Sequence, residues 1–216
     1  EMSLDAYIPV LFRIPAGRIV AALQHYHRAI APGIDFRPEL GFARQLPVKT
    51  LLACFESMAG TGYFRSIDLY DDESAQPVGN FKPLYRSARA LGMKCKAHAG
   101  EFGTADSVRE AVETLELDVV QHGIGAADSP EVMKWLVRHN IPLNVCPASN
   151  IRLKRVRSYG IHPIRVLADN GVKVTLNTDD ALVFCVGNSE QYLKLYASGN
   201  LTEEQLEGIR KNGLEA

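Results

Sequence analysis

Three residues with polar or reactive side chains, His98, His122 and Cys146, follow one another at intervals of 24, and each closes a short apolar run with strand periodicity. That interval holds one strand, one helix and two short connections. A chain that repeats such a unit folds as a parallel sheet with helices packed outside it. The segment from Met93 to Glu101 shows the unit most clearly. Cys95 and Ala97 alternate with Lys94, Lys96 and His98, and Gly100 breaks the strand so that the chain can turn away.

The same alternation extends along the chain. Apolar positions three to four apart predict helices over 16–30, 48–58, 81–91, 107–115 and 162–170. Gly92 is suited to end the third, and Ser129-Pro130-Glu131 to begin another with an N-cap serine. Thr202-Glu-Glu-Gln205 reads as a capping box opening a last helix. Strands are expected over 34–41, 64–69, 93–98, 118–122, 142–146 and 173–178. Residues 7–14 could form a strand, but Pro9 removes a ladder donor and confines it to an edge or a loop. The pattern is that of a (β/α)8 TIM-type barrel, in which reactive groups gather at the C-terminal strand ends. A doubly wound open sheet would call for a Gly-rich phosphate loop after an early strand, and the sequence has none.

Composition narrows the partners. With 216 residues, 46% hydrophobic and 23% charged, the chain can bury a sizeable core. A net charge of −1 gives no reason to expect nucleic acid or an anionic membrane, so a small molecule is the expected partner; an oligomer is compatible with it. The four cysteines are far apart in apolar runs with no Cys-x-x-Cys pair, which predicts buried thiols in a reducing cytoplasm. No apolar run reaches the ~20 residues that span a bilayer, and no secretory signal opens the sequence, so a cytoplasmic location is expected.

The strand ends collect Asp68 and Asp71, His98 and Glu101, His122, Asn144 and Cys146, and Asp179 and Asp180. Histidines, a glutamate and paired aspartates on successive strand ends are the materials of a metal-activated water and a proton shuttle. His98-Ala-Gly-Glu101, His122-Gly123, Cys146-Pro147-x-Ser149-Asn150 and Leu176-Asn-Thr-Asp179-Asp180 stand in the order and spacing of the adenosine deaminase family, which the chain resembles from about Ile67 to about Lys211. The resemblance implies a metal-dependent hydrolase of the barrel kind that deaminates an aminopurine base, nucleoside or nucleotide. It implies Zn2+ as cofactor, with His98 and Asp179 as ligands, Glu101 as proton donor to purine N1, and His122 positioning and deprotonating the activated water. Asp180 is then expected to bind purine N7, with Gly100 and Asp71 beside the substrate.

Two departures from the family stand out. Its members open with a strand ending in His-x-His that supplies two further ligands, whereas the one such pair here, His25-Tyr26-His27, lies in a helical pattern. Residues two apart on a helix point to different faces and cannot chelate one ion as they would at a strand end. With six readable strands against the eight that close a barrel, residues 1–216 are expected to form a single partial-barrel domain without its first βα unit, with an incomplete zinc ligand set. The second departure is Tyr70-Asp71, which stands where adenosine-specific members carry a small residue and a glycine, and argues against adenosine itself. The alternatives are another zinc amidohydrolase on the same scaffold, or a binding protein without turnover. The basic run Arg152, Lys154, Arg155 and Arg157 reads as a solvated loop or as a receiver of phosphate. His139 and His162 are expected to be structural, and Trp135 to lie in the core.

Overall fold

A computed structural model describes residues 2–215 and divides into two compact units, one of residues up to Ala97 with Thr114–Leu117 and one of His98–Glu113 with Asp118 onward. The first unit runs β1 (Met2–Asp5), α1 (Ile8–Leu11), α2 (Ala16–Ile30), β2 (Pro38–Ala43), α3 (Val48–Ala59), β3 (Ser66–Tyr70), α4 (Lys82–Ala90) and β4 (Lys94–Ala99), whose last two residues belong to the second unit. Neighbouring strands pair in parallel, with Leu40 opposite Ile67 and Ile67 opposite Cys95. Residues 38–42 and 66–69 are buried throughout, as expected of parallel strands covered on both faces. The helix α3 turns Leu51, Cys54, Phe55 and Met58 inward, the spacing of a single apolar stripe. Gly92, at a φ of 71°, ends the run of α4, and the Met93 N–H reaches back to the Ala88 carbonyl at 3.1 Å.

Two expectations for this unit are corrected. Residues 8–11 form a helical turn rather than an edge strand, because Pro9 sits in the first turn, where its missing N–H leaves no bond unmade. The strand that pairs with β2 lies earlier, at Met2–Asp5. The strand expected over 34–41 begins instead at Pro38, since a proline tolerates the first position of a strand. His25 and His27 lie on α2 as expected.

A buried ion pair lies within the first unit. Lys96 Nζ is 2.8 Å from Glu39 Oε2, with side chains 1% and 3% exposed. The Ser66 hydroxyl donates to the same carboxylate oxygen at 2.7 Å.

The second unit continues with α5 (Ala105–Leu115), β5 (Val119–His122), α6 (Pro130–Arg138), β6 (Leu143–Val145), α7 (Pro147–Arg152), α8 (Ile164–Asp169), β7 (Val174–Leu176), α9 (Ala181–Phe184), α10 (Asn188–Ala197) and α11 (Glu203–Glu215). Its strands also pair in parallel, Val120 with Leu143 and Leu143 with Val174. Ser129 Oγ accepts the Val132 N–H at 3.2 Å and caps α6. The capping box forms in both directions, Thr202 N–H to Gln205 Oε1 at 2.9 Å and Gln205 N–H to Thr202 Oγ1 at 3.2 Å. Asn212 Nδ2 then donates to the Val174 carbonyl at 2.9 Å and ties α11 to β7. Trp135, expected in the core, is half-buried, with the Arg109 guanidinium 5.4 Å from its ring centroid. Cys185 is exposed while Cys54, Cys95 and Cys146 are buried.

The described residues thus hold seven parallel strands, one fewer than the eight of a (β/α)8 barrel. No helix among them is long and apolar enough to cross a membrane.

Candidate active site

The C-terminal ends of β4, β5, β6 and β7 bring His98, Glu101, His122, Cys146 and Asp179 into one part of the second unit. Past His98 the chain turns at Gly100, at a φ of 70°, and a Cβ there would collide with Val108. Only glycine suits that turn. Two backbone bonds tie it to the segment after β5: Gly123 N–H to the Ala99 carbonyl at 3.1 Å, and Gly125 N–H to the Gly100 carbonyl at 2.8 Å. Arg155 holds it from a further side, Nε donating to the Glu101 carbonyl at 3.0 Å and the guanidinium lying 4.9 Å from the Phe102 ring centroid. Of the basic run, Arg155 is therefore committed to the turn that carries Glu101.

His122 is the centre of the group. It is 1% exposed, and its ring lies 4.8 Å from that of His98. Its Nδ1 is 3.5 Å from Glu101 Oε1, and its Nε2 is 3.7 Å from Asp179 Oδ2. Burial, then the neighbouring His98 and His162, hold the His122 imidazole well below its usual range, so it is neutral at pH 7. His122 and Asp179 both sit at left-handed φ, 60° and 57°. Each costs about 1–2 kcal/mol for a residue with a Cβ, and the conformation turns the two side chains toward each other at the strand ends.

Asn150 joins two of these groups. Its Nδ2 lies 3.2 Å from Glu101 Oε1 and 3.2 Å from His122 Nδ1. Behind it His162, 1% exposed, places Nε2 3.3 Å from Asn150 Oδ1. Burial lowers His162 to about 3. Gln191 clamps the same region: its Oε1 accepts the Ala148 N–H at 2.9 Å, and its Nε2 donates to the Asn177 carbonyl at 2.8 Å. Asn150 lay inside a motif quoted from the sequence, but nothing local marked its partners. His162 and Gln191 gave no chemical signal at all.

The donors suit a divalent cation. Ligand atoms of His122, Cys146 and Asp179 lie within 4.8 Å of one another, and nitrogen, sulfur and oxygen together are the set that zinc accepts. Cys146, expected as a buried thiol at a strand end and not as a ligand, is thus a further ligand-capable group. Asp180 is occupied as the N-cap of α9, its Oδ1 accepting the Val183 N–H at 3.3 Å. Asp71 lies in the first unit, just after β3, at a φ of 79° and with its Oδ1 accepting the Asp72 N–H at 3.0 Å.

A family model described as adenosine deaminase matches residues 43–216. A protein of Treponema pallidum (strain Nichols) named for adenosine/adenine deamination is 38% identical over 209 residues, covering 97% of this chain and 70% of that one. The adenine deaminase of Crocosphaera subtropica is 34% identical over 185 residues, 85% of this chain and 57% of its own length. Among solved structures, an adenine deaminase from Arthrobacter aurescens superposes with a TM-score of 0.89 at 24% identity, covering 99% of this chain and 66% of that one. A zinc-bound amidohydrolase from Burkholderia ambifaria gives 0.88 at 26%, covering 99% and 61%. The fold is therefore that of an incomplete (β/α)8 barrel of this kind, and the chain spans roughly 57–70% of the length of these proteins.

Proposed function

Because the chain belongs to the adenosine deaminase family, we propose that it carries the catalytic strand ends of a hydrolase that removes the exocyclic amine of a purine as ammonia. The observation that carries this reading is the meeting of Glu101, 7% exposed, with His122 and Asp179 at the strand ends. In this reading His98 and Asp179 hold zinc, which supplies the Lewis acidity that makes a water nucleophilic at neutral pH.

The chain's own residues do the rest. Glu101 gives a proton to purine N1 as the ring carbon becomes tetrahedral, a step typically worth about 10²–10⁴-fold. His122, neutral and enclosed, orients the attacking water. Asp180 accepts a hydrogen bond at the imidazole side of the purine, and Gly100, which has no side chain, lets the backbone approach the ring. Tyr70-Asp71, where adenosine-specific members carry a small residue and a glycine, argues for a substrate other than adenosine itself.

The test is ammonia release from adenine, adenosine and AMP by the chain extended at its N-terminus with a strand ending in His-x-His, since residues 1–216 alone are expected to bind zinc weakly and turn over little, with Glu101→Gln as the variant. Glu101→Gln should lower kcat by about 10²-fold or more and leave the zinc content unchanged. Near-normal turnover in that variant removes Glu101 from the role of proton donor. An unchanged substrate preference in Asp71→Gly removes the sequence argument against adenosine.

A further inference from the structure

We infer that Asn150, with His162 behind it, is a positioning residue that fixes His122 in the tautomer with its proton on Nε2 and engages one oxygen of Glu101. The direction of the whole hydrogen-bond chain follows from one group that cannot be reversed. The Ile164 backbone N–H, at the start of α8, donates to His162 Nδ1 at 3.1 Å. A backbone N–H is only ever a donor, so His162 Nδ1 carries a lone pair and the proton of the neutral ring is on Nε2. That nitrogen faces Asn150 Oδ1 at 3.3 Å and donates to it. The amide is thereby oriented, and its Nδ2 has two hydrogens to give. One goes to Glu101 Oε1 and the other to His122 Nδ1, both at 3.2 Å. His122 Nδ1 therefore accepts, and the proton of its neutral ring is on Nε2. Every polar atom of Asn150, which is 0% exposed, has a partner with the matching role.

Two consequences follow for the site. His122 turns an N–H, not a lone pair, toward the side of Asp179, whose Oδ2 lies 3.7 Å away and beyond hydrogen-bond distance, so at rest the ring presents a donor to an oxygen that enters there. With Nδ1 engaged by the amide and Nε2 carrying the proton, the ring in this resting tautomer is not a metal ligand, although its position beside Cys146 and Asp179 would allow it to be one. The amide bond to Oε1 holds the Glu101 carboxyl in place beside His122. The kinetic part of this inference rests on the deaminase reading, and the tautomer itself does not.

The test uses long-range 1H–15N correlation spectra of the protein labelled in its histidines, at neutral pH, where protonated and bare ring nitrogens resonate far apart. In the wild type His122 should show a protonated Nε2 and a bare Nδ1. Asn150→Leu leaves Glu101 Oε1, 3.5 Å away, as the remaining partner of Nδ1, and an acceptor there should move the proton to Nδ1. His162→Gln keeps a side-chain N–H for Asn150 Oδ1 and should keep the wild-type pattern, whereas His162→Leu frees the amide to rotate and should give both tautomers. That pair carries the test if Asn150→Leu does not fold. With a purine substrate, Asn150→Leu should lower kcat by about 10²-fold with KM changed by less than about threefold, and His162→Gln should restore turnover relative to His162→Leu. A wild-type His122 protonated on Nδ1, or a pattern indifferent to these variants, overturns the inference. The spectra decide this whether or not any purine is turned over, so a failure of the deaminase reading is told apart from a failure of this one.

Discussion

Removing Lys96 should destabilise the protein in a way that disappears as the pH falls. The perturbation is Lys96→Met, which keeps most of the side-chain volume and deletes the charge 2.8 Å from Glu39 Oε2. Burial foremost, and the nearby Asp68 charge, push the Glu39 carboxyl above its ordinary 4.5, while Lys96 and the Ser66 hydroxyl pull it down. Without the ammonium, the enclosed carboxylate takes up a proton instead of standing as an unpaired anion. The unfolded chain still titrates at about 4.5, so holding the folded group neutral at pH 7 costs about 3.4 kcal/mol, from 2.5 units at 1.36 kcal/mol each. This agrees with the roughly 3–5 kcal/mol seen when one partner of a buried pair is removed. At pH 5 the same linkage leaves only about 1 kcal/mol. The sign is that of a carboxyl raised in the folded state: its stability is present at low pH and lost as pH rises. Urea unfolding of wild type and variant at pH 7 and pH 5 measures the difference directly. Adding Glu39→Gln should recover about 2 kcal/mol at pH 7, since an amide is neutral without the cost of taking up a proton. A loss below about 1 kcal/mol at pH 7, or one that stays the same at pH 5, refutes the reasoning.

Gly100→Ala should lower stability by about 2 kcal/mol or more in thermal unfolding, because the left-handed φ and the approach of Val108 act together; Val108→Ala alongside it should relieve only the steric part. His162, lowered to about 3 in the folded protein, makes stability fully present above pH 6.5 and lost as pH falls, by about 2 kcal/mol between pH 7 and pH 5. His162→Gln should flatten that part of the pH profile of urea unfolding. Thr202→Ala removes one half of the capping box and should cost about 1 kcal/mol by the same assay.

The helix ends were legible because their signals are local. Ser129, Gly92 and Thr202 with Gln205 act on backbone groups a few residues away, and the structure has each of them in its expected place. The strand ends with His98, His122 and Asp179 were legible from spacing and residue type. What the sequence concealed was non-local or too short to show a period. The strand β1 has four residues, half-exposed or more, and α9 has four; neither length allows a repeat to be seen. Asn150 meets His122 from 28 residues away and Glu101 from 49, and no local rule links such positions. His162 read as structural for the same reason: its environment is made by the start of α8 and by a side chain on α7.

The left-handed backbone at His122 and Asp179 also bears on how these positions can change over generations. Glycine would fill either one with less strain than its present occupant. A lineage screened for folding alone would therefore drift toward glycine there, and would become sturdier as it became inert. A chain that keeps a histidine and an aspartate there carries that strain for what the two side chains do at the strand ends.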